Sequence, residues 1–152
     1  MSFGDEWDRE SANAIAAQKE IVKVVSIGLF SGTITSSPVG NPRLWKNPNS
    51  APDGYTGGSF RANWYLTQTV GSVKYNESKK TSESEMISGI TATIEKVDSS
   101  QWILTNNAPY GPRIEAGWST QAPNGVIAPN VLRVESQIPK IAAITNKKYG
   151  VN

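Results

Sequence analysis

A long amphipathic pattern occupies the N-terminal part of this 152-residue chain, from Asp5 to about Ile34. Acidic residues fall in its first turn, where they complement a helix dipole. Apolar side chains recur on one face at helical spacing, at Ala14, Ile21, Val25 and Leu29. The pattern predicts one helix over residues 5–34, although the β-branched residues near 21–27 also permit a strand.

The second half of this predicted helix is more apolar than a single buried face requires. Its apolar side chains nearly encircle the helix axis and are Ile21, Val22, Val24, Val25, Ile27, Leu29 and Phe30. Such a surface must be covered on more than one side. We therefore expect this half either to be clamped between a sheet and another element or to contact another subunit.

The composition excludes several kinds of chemistry. The chain holds no cysteine and no histidine, which removes thiol nucleophiles, disulfides, the usual zinc and iron sites and histidine-based triads. We expect no cofactor and no metal. The net charge of +2 is too balanced for nucleic-acid binding to follow from charge alone. No apolar run reaches the ~18 residues of a membrane helix, and the first residues lack the pattern of a signal peptide, so we expect a protein made in a cytosol and no membrane partner.

Helical and strand periodicity both disappear over residues 36–58, where Pro, Gly and Asn are frequent. Irregular segments of this length within a compact domain are usually functional or disordered. Trp45 and Tyr55 argue against plain disorder, because each offers a large apolar surface. We predict a docking loop that becomes ordered in an assembly. The alternative is that Trp45 covers the core of its own domain.

A strand is predicted over residues 60–70, because aromatic and apolar residues alternate there with polar ones. Residues 75–85 are polar and charged without apolar spacing, which predicts an exposed, mobile loop. A capping box formed by Ser82 and Glu85 then begins a helix whose apolar residues follow helical spacing. A strand over residues 90–97 is the competing interpretation.

The stretch from Trp102 to Gly125 carries an unusual set of side chains. A short apolar run at 102–105, ended by two asparagines, predicts a buried strand. Large hydrogen-bonding side chains follow on a backbone stiffened or bent by Pro and Gly, namely Tyr110, Arg113, Glu115, Trp118 and Gln121. These residue types dominate buried contacts between proteins and also serve in cores. Residues 60–125 are thus expected to hold the sheet and its turns.

A last helix is predicted over residues 128–146, with Pro129 in its first turn, where proline is tolerated. Pro139 lies inside the pattern and should kink or divide the helix near Glu135. The tail from Asn146 onward is polar, so we expect it to fray or to be held by a partner. We find no second domain boundary and treat the whole chain as one domain.

Glu115 is the main candidate for catalytic chemistry. A small hydrolase could pair it with Asp53 or another distant carboxylate as acid and base, assisted by Arg113 and Tyr110. A glycosidase-like site needs two carboxylates that flank one cleft, and no spacing in the chain indicates that two converge. No glycine spacing matches a phosphate-binding loop either.

A structural role for Glu115 is the competing interpretation, in which it pairs with Arg113 or Arg61 to fix a loop. We expect the pair with Arg61, buried and linking the predicted 60–70 strand to the turn at Arg113. Asn63 and Asn106 are expected to satisfy backbone groups nearby.

Three segments occur in order along the chain: SPVGNPRLWKN, PDGYTGGSFRANWYLT and WILTNNAPYGPRIEAGWSTQAPNGVI. Together they resemble the neck and tail-completion proteins of tailed bacteriophages, which join the portal-bearing head to the tail. In that family a strand with R-x-N-W follows a T/S-P-V turn, and a later strand ends in N-N-x-x-Y before R-x-E-x-G and Q-A-P-x-G. The matching residues here are Arg61, Asn63, Trp64, Asn106, Asn107, Tyr110, Arg113, Glu115, Gly117, Gln121, Ala122, Pro123 and Gly125. The similarity covers roughly residues 30–140, with Ser37 in place of the commoner Thr and no counterpart for residues 75–85.

The resemblance implies a small α+β domain in which long N-terminal and C-terminal helices pack an antiparallel sheet. It implies a non-enzymatic virion protein, assembled in the bacterial cytoplasm, that forms a ring of six copies at the head-to-tail junction as a neck, tail-completion or tail-terminator ring. Its partners would be further copies of itself, connector and tail proteins, and double-stranded DNA in transient passage. Independently of the resemblance, we expect the 75–85 loop to face the lumen, because it is long, polar and without apolar anchors. A monomeric protein-binding adaptor is the alternative, and a carboxylate-based hydrolase a more distant one.

A ring needs two different patches on each copy, because its contacts run head to tail. The loop at 41–58 is expected to supply one patch, and the surface around Tyr110 and Trp118 the other. The residues expected at the subunit interface are Trp45, Tyr55, Tyr110 and Trp118.

Overall fold

The computed structural model describes residues 1–44 and 47–152. Its elements in chain order are α1 (Phe3–Ser36), α2 (Ser59–Ala62), β1 (Trp64–Thr67), α3 (Glu83–Lys96), β2 (Ile103–Asn106), α4 (Gly111–Glu115) and α5 (Ile127–Tyr149). Short 3₁₀ turns at Pro42–Leu44 and Pro48–Ser50 interrupt the irregular segment between α1 and α2. The domain is α+β, with a small antiparallel sheet and long first and last helices, as expected. None of the helices in the described residues is long and apolar enough to span a membrane.

Helix α1 begins at a capping box, in which the Ser2 side chain accepts from the Asp5 N–H and the Asp5 carboxylate accepts from the Ser2 N–H. The predicted 5–34 helix is confirmed. Its apolar second half packs against both α3 and α5, and its contribution to the buried core includes Phe30 and Ile34. Two helices within the same chain therefore cover this half of α1.

Helix α3 also begins at its predicted capping box, formed by Ser82 and Glu85. It turns Met86, Ile90 and Ile94 into the core, so a strand over residues 90–97 is wrong. The three side chains lie on one helical face, which explains why the spacing predicted a helix.

The sheet consists of β1 and β2, paired antiparallel with Trp64 opposite Asn106 and Thr67 opposite Ile103. The predicted strand over 60–70 is too long, because its first residues form the helical turn α2. Gly58 begins this turn at φ +105°, a conformation that favours glycine. The turn places Phe60 against Trp64 edge to face, with ring centroids 5.8 Å apart. The alternation of apolar and polar residues over 60–64 therefore comes from the packing of these two aromatic rings and not from a β-strand.

Residues 75–85 are mostly exposed, as predicted, and several contacts join them to the body of the domain. The backbone N–H of Asn76 donates to Oδ1 of Asn63 at 2.9 Å. Tyr75 packs against the core, and the Lys79 ammonium lies 4.2 Å from the centre of the Tyr65 ring. Each of these three residues makes its contact singly, and a periodic pattern in the sequence cannot reveal single contacts of this kind.

The C-terminal tail is held by its own chain, so the prediction of a frayed or partner-bound tail is wrong. Helix α5 runs through Pro139 as one element to Tyr149. Gly150 then takes a left-handed conformation, and the Val151 N–H donates to the Asn146 carbonyl at 2.9 Å, which closes the helix with a Schellman motif. Lys148 pairs with Glu20 of α1 at 2.8 Å.

Candidate functional site

The first two motif segments meet at the C-terminal end of α1. The guanidinium of Arg61 donates to the carbonyl oxygens of Thr35 at 3.2 Å and Ser37 at 3.0 Å. A cation at this end of a helix satisfies carbonyls that lack intrahelical partners. Arg61 also forms an ion pair with Glu83 at 3.4 Å. It therefore joins the ends of two helices.

The predicted pair of Arg61 with Glu115 is wrong, because Glu115 is engaged elsewhere. Its carboxylate accepts from the backbone N–H groups of Val126 at 2.8 Å, Ile127 at 3.0 Å and Ala128 at 3.0 Å. Val126 stands at the start of α5 and offers no side-chain cap, so Glu115 supplies the missing acceptor from another element. Burial raises the pKa of Glu115, but the bonds from Ile127, Ala128 and Val126 outweigh it and lower the pKa below 4.5.

The alternative pair of Arg113 with Glu115 is not formed in the described structure either. The guanidinium of Arg113 lies 5.3 Å from the centre of the Trp118 ring. This is cation–π distance. Trp118 is 73% exposed, so the stacked pair lies at the surface.

The two asparagines satisfy backbone groups, as predicted. Asn63 is fully buried and donates to the carbonyls of Ser59 at 2.7 Å and Asn76 at 2.9 Å. Asn106 donates to the Phe60 carbonyl at 2.7 Å and accepts from the Ala108 N–H at 3.0 Å. Both amides therefore hold separate segments together by several hydrogen bonds each.

The first and third motif segments are joined by a reciprocal pair of hydrogen bonds. The Gln121 amide donates to the Val39 carbonyl at 2.8 Å and accepts from the Val39 N–H at 3.1 Å. The indole N–H of Trp64 donates to the Ser37 hydroxyl at 2.8 Å. The residues on both sides of Pro38 are thus fixed by side chains from later segments.

The turn around Pro123 depends on close backbone packing. Gly117 takes φ +84°, and a Cβ at this position would collide with the Pro123 carbonyl. Gly125 takes φ +82°, and its Cβ would come within 2.7 Å of the Glu115 carboxylate. Both glycines are therefore required by conformation and by space.

A cleft of about 900 Å³ opens where the three motif segments meet. Tyr55, Tyr110 and Trp118 all line it, together with Leu44 and Ile114. Trp45, the fourth residue predicted for an interface, lies outside the described residues. The loop at 41–58 and the surface around Tyr110, which were expected to form two patches, both contribute residues to this one cleft.

The charges around the cleft are mostly positive. Lys80 and Arg113 line it against one carboxylate, Glu77. Tyr110 stands 6.0 Å from Phe60, measured between ring centroids. Burial, followed by the neighbouring Tyr75, raises the pKa of Tyr110 to about 12, so its hydroxyl stays protonated at neutral pH.

The structure does not bring together the acid–base pair considered for a hydrolase. Glu115 is committed to the start of α5, and Asp53 does not line the cleft. Within the described ranges, no group of three carboxylates is placed to hold a metal ion.

Sequence reasoning missed the role of Glu115 as a cap, because its targets lie 11 to 13 residues further on. One signal was present: the position before Ile127 is Val126 rather than Ser, Thr, Asp or Asn, so the helix needed an acceptor from elsewhere. The basic residue Lys80 was also missed as part of the cleft, since nothing in the sequence places it beside Tyr55.

Comparison of the chain with protein-family models, with curated proteins and with solved structures found no match in any of the three.

Proposed function

We propose that this chain is a structural protein of tailed bacteriophage particles that assembles as a ring of six copies at the head-to-tail junction. In this role it joins the portal or connector to the tail, and DNA passes through the ring without stable binding. The near-balanced charge of the chain suits such a lumen, because each Lys or Arg contact to phosphate would add affinity. Residues 75–85 carry both signs of charge and are the segment proposed to face the lumen.

The observation that carries this proposal is the way the three motif segments pack. Arg61 binds Ser37, Asn106 binds Phe60, and Gln121 binds Val39. Residues from all three of the segments that resemble neck proteins thus belong to one hydrogen-bonded unit. The resemblance accordingly concerns a structural unit rather than three unrelated turns.

The side chains left exposed on this unit are of the kinds found at protein interfaces. Trp118, Tyr55 and Tyr110 are exposed around the cleft, and Trp, Tyr and Arg are enriched among residues that dominate binding energy. A monomeric adaptor would use the same cleft, so the adaptor remains the second candidate. The hydrolase has no such support, because its two carboxylates do not share a cleft.

Removal of the gene from the phage or prophage that carries it tests the proposal. We expect electron microscopy to show DNA-filled heads and separate tails, and complementation with the intact gene to restore joined particles. Mass spectrometry of wild-type particles should detect the protein. Joined, infectious particles made without the gene, or wild-type particles that lack the protein, would contradict the proposal.

A further inference from the structure

The N-terminal turns of α1 extend beyond the rest of the domain. Ion pairs join α1 to the rest of the domain at Glu20, which pairs with Lys148 of α5, and at Lys19, which pairs with Asp98 just after α3. Ala17 is buried, whereas all of residues 1–10 are exposed. Half-buried side chains begin at Ser11, so the uniformly exposed part of the helix is the segment from 3 to 10, which spans roughly 12 Å at about 1.5 Å per residue. We name residues 3–10 the tip.

The tip carries exposed aromatic side chains on one face and a strong negative charge. Phe3 is 82% exposed and Trp7 63% exposed, and their spacing of four residues puts them on the same side of the helix. Four carboxylates surround them against a single guanidinium, and these residues are Asp5, Glu6, Asp8, Glu10 and Arg9. An apolar stripe between charged residues is typical of a helix that docks into a groove.

The cleft has the properties that a binding partner of this tip would need. Its aromatic walls surround a volume of about 900 Å³, near the upper end of the roughly 300–1,000 Å³ of ligand sites, so it has room for more than one large side chain. Lys80 and Arg113 give it a positive rim, and neither forms an ion pair with the carboxylates of the described chain. Charge and residue type therefore match between tip and cleft.

The tip cannot reach the cleft of its own chain. Helix α1 has 34 residues, which is roughly 50 Å at about 1.5 Å per residue. Its far end stops at Ser36, and Pro38 already lines the cleft. The two surfaces therefore lie at opposite ends of one long helix.

We propose that the tip of one copy docks into the cleft of the next copy, with Phe3 and Trp7 between the aromatic walls and Glu6 and Asp8 facing Lys80 and Arg113. This inference rests on the proposed ring and supplies the second patch that a head-to-tail contact needs. Repeated in one direction from copy to copy, this contact between two different surfaces produces a ring or a filament, whereas a reciprocal exchange of tips between two copies would stop at a dimer.

Cysteine crosslinking tests the contact directly, because the chain has no cysteine of its own. Ser11→Cys places a thiol one turn beyond Trp7, and Thr120→Cys places one at the cleft. The two variants are mixed and treated with a short bismaleimide. Val73→Cys is the matched control, since Val73 is 92% exposed and does not line the cleft.

We expect the Ser11→Cys and Thr120→Cys mixture to give a crosslinked dimer and the mixture with Val73→Cys to give only background. A chain with both cysteines should give a ladder of multimers. Equal crosslinking to Val73→Cys overturns the proposal, and so do crosslinks confined to tip with tip or cleft with cleft. Absence of any crosslink up to millimolar protein overturns it as well.

Charge exchange provides a second, independent readout. Glu6→Lys with Asp8→Lys should weaken association, measured by sedimentation, by about tenfold or more. The double variant Lys80→Glu with Arg113→Glu, whose tip is unchanged, should show the same loss of association. Mixing the two double variants should restore association. If mixing restores nothing, the charged rim does not contact the tip.

The two proposals fail separately. If particles contain the protein and require it for joining, yet the tip and cleft are not linked, the docking inference fails alone. If the link forms but particles lack the protein, the proposed place at the head-to-tail junction fails and the docking contact stands.

Discussion

The carboxylate of Glu115 accepts backbone hydrogen bonds from Val126, Ile127 and Ala128, and the start of α5 therefore depends on it. Val126 is fully buried, so water cannot replace the acceptor for its N–H. A buried donor left without a partner costs about 1–3 kcal/mol. The residue thus acts on the fold of the last helix rather than on a substrate.

Glu115→Ala should lower the free energy of unfolding by about 1–3 kcal/mol, as measured by urea denaturation. Glu135→Ala is the control, because Glu135 is exposed on the same helix, and it should change stability by less than about 0.5 kcal/mol. Equal effects of the two substitutions would show that the cap is not formed.

The lowered pKa of Glu115 predicts how stability depends on pH. Its folded pKa lies below the ordinary 4.5, so its contribution is complete above the unfolded value and is lost as pH falls through the folded value. Wild-type protein should therefore lose more stability than Glu115→Gln between neutral pH and pH values below 4.5. The other carboxylates with lowered pKa values, Asp5, Glu20 and Asp98, are present in both proteins and cancel in the difference. Parallel curves for the two proteins would refute the assignment.

The roles of individual residues were predictable from the sequence only in part. Asn63 and Asn106 could be expected to bind backbone groups, because buried amides need partners. Their partners, and the true partners of Arg61, follow from how α1 ends beside α2, and local spacing carries no information about that contact.

At the scale of elements, the close approach of α1 and α5 depends on a small residue. A Cβ added at Gly32 would collide with the side chains of Arg133 and Asn130. Asn130 is buried and donates to the Val126 carbonyl at 2.8 Å, so it cannot move aside freely. At Gly28, one turn earlier on α1, an added Cβ would meet nothing within 4 Å.

Gly32→Ala should therefore destabilise the protein by about 1–3 kcal/mol through overpacking. Gly28→Ala should instead stabilise it by up to about 1 kcal/mol, since alanine favours a helix over glycine. Thermal or urea unfolding of both variants measures the contrast. Stabilisation by both substitutions would show that the two helices do not pack as described.

The elements that carry a local sequence signal, such as apolar periodicity or a capping box, could be predicted from the sequence. Helices α1 and α3 have apolar periodicity, and α3 begins at a capping box that the sequence displays. Residues 60–62 were misassigned because Phe60, Ala62 and Trp64 satisfy a strand pattern, while the turn is set by Gly58 and by the bond from Asn63 to Ser59. The tail at 146–152 was misassigned because its anchor, Glu20, lies at the other end of the chain.

At the scale of the whole molecule, the cleft gathers side chains that the sequence singled out but did not place together. Tyr55, Tyr110 and Trp118 were expected at interfaces because of their residue types. Their convergence depends on the bonds between Gln121 and Val39, which connect residues 82 positions apart, and on the course of the segment after α1. The exposed tip was missed for a similar reason, since only packing shows where α3 and α5 leave α1 uncovered.

The copy number of the protein in purified particles tests the central claim most directly. Quantitative mass spectrometry with isotope-labelled peptides, referenced to a particle protein of known copy number, gives this number. The proposed ring predicts six copies per joined particle. Particles that are joined and infectious but contain none of this protein would contradict it.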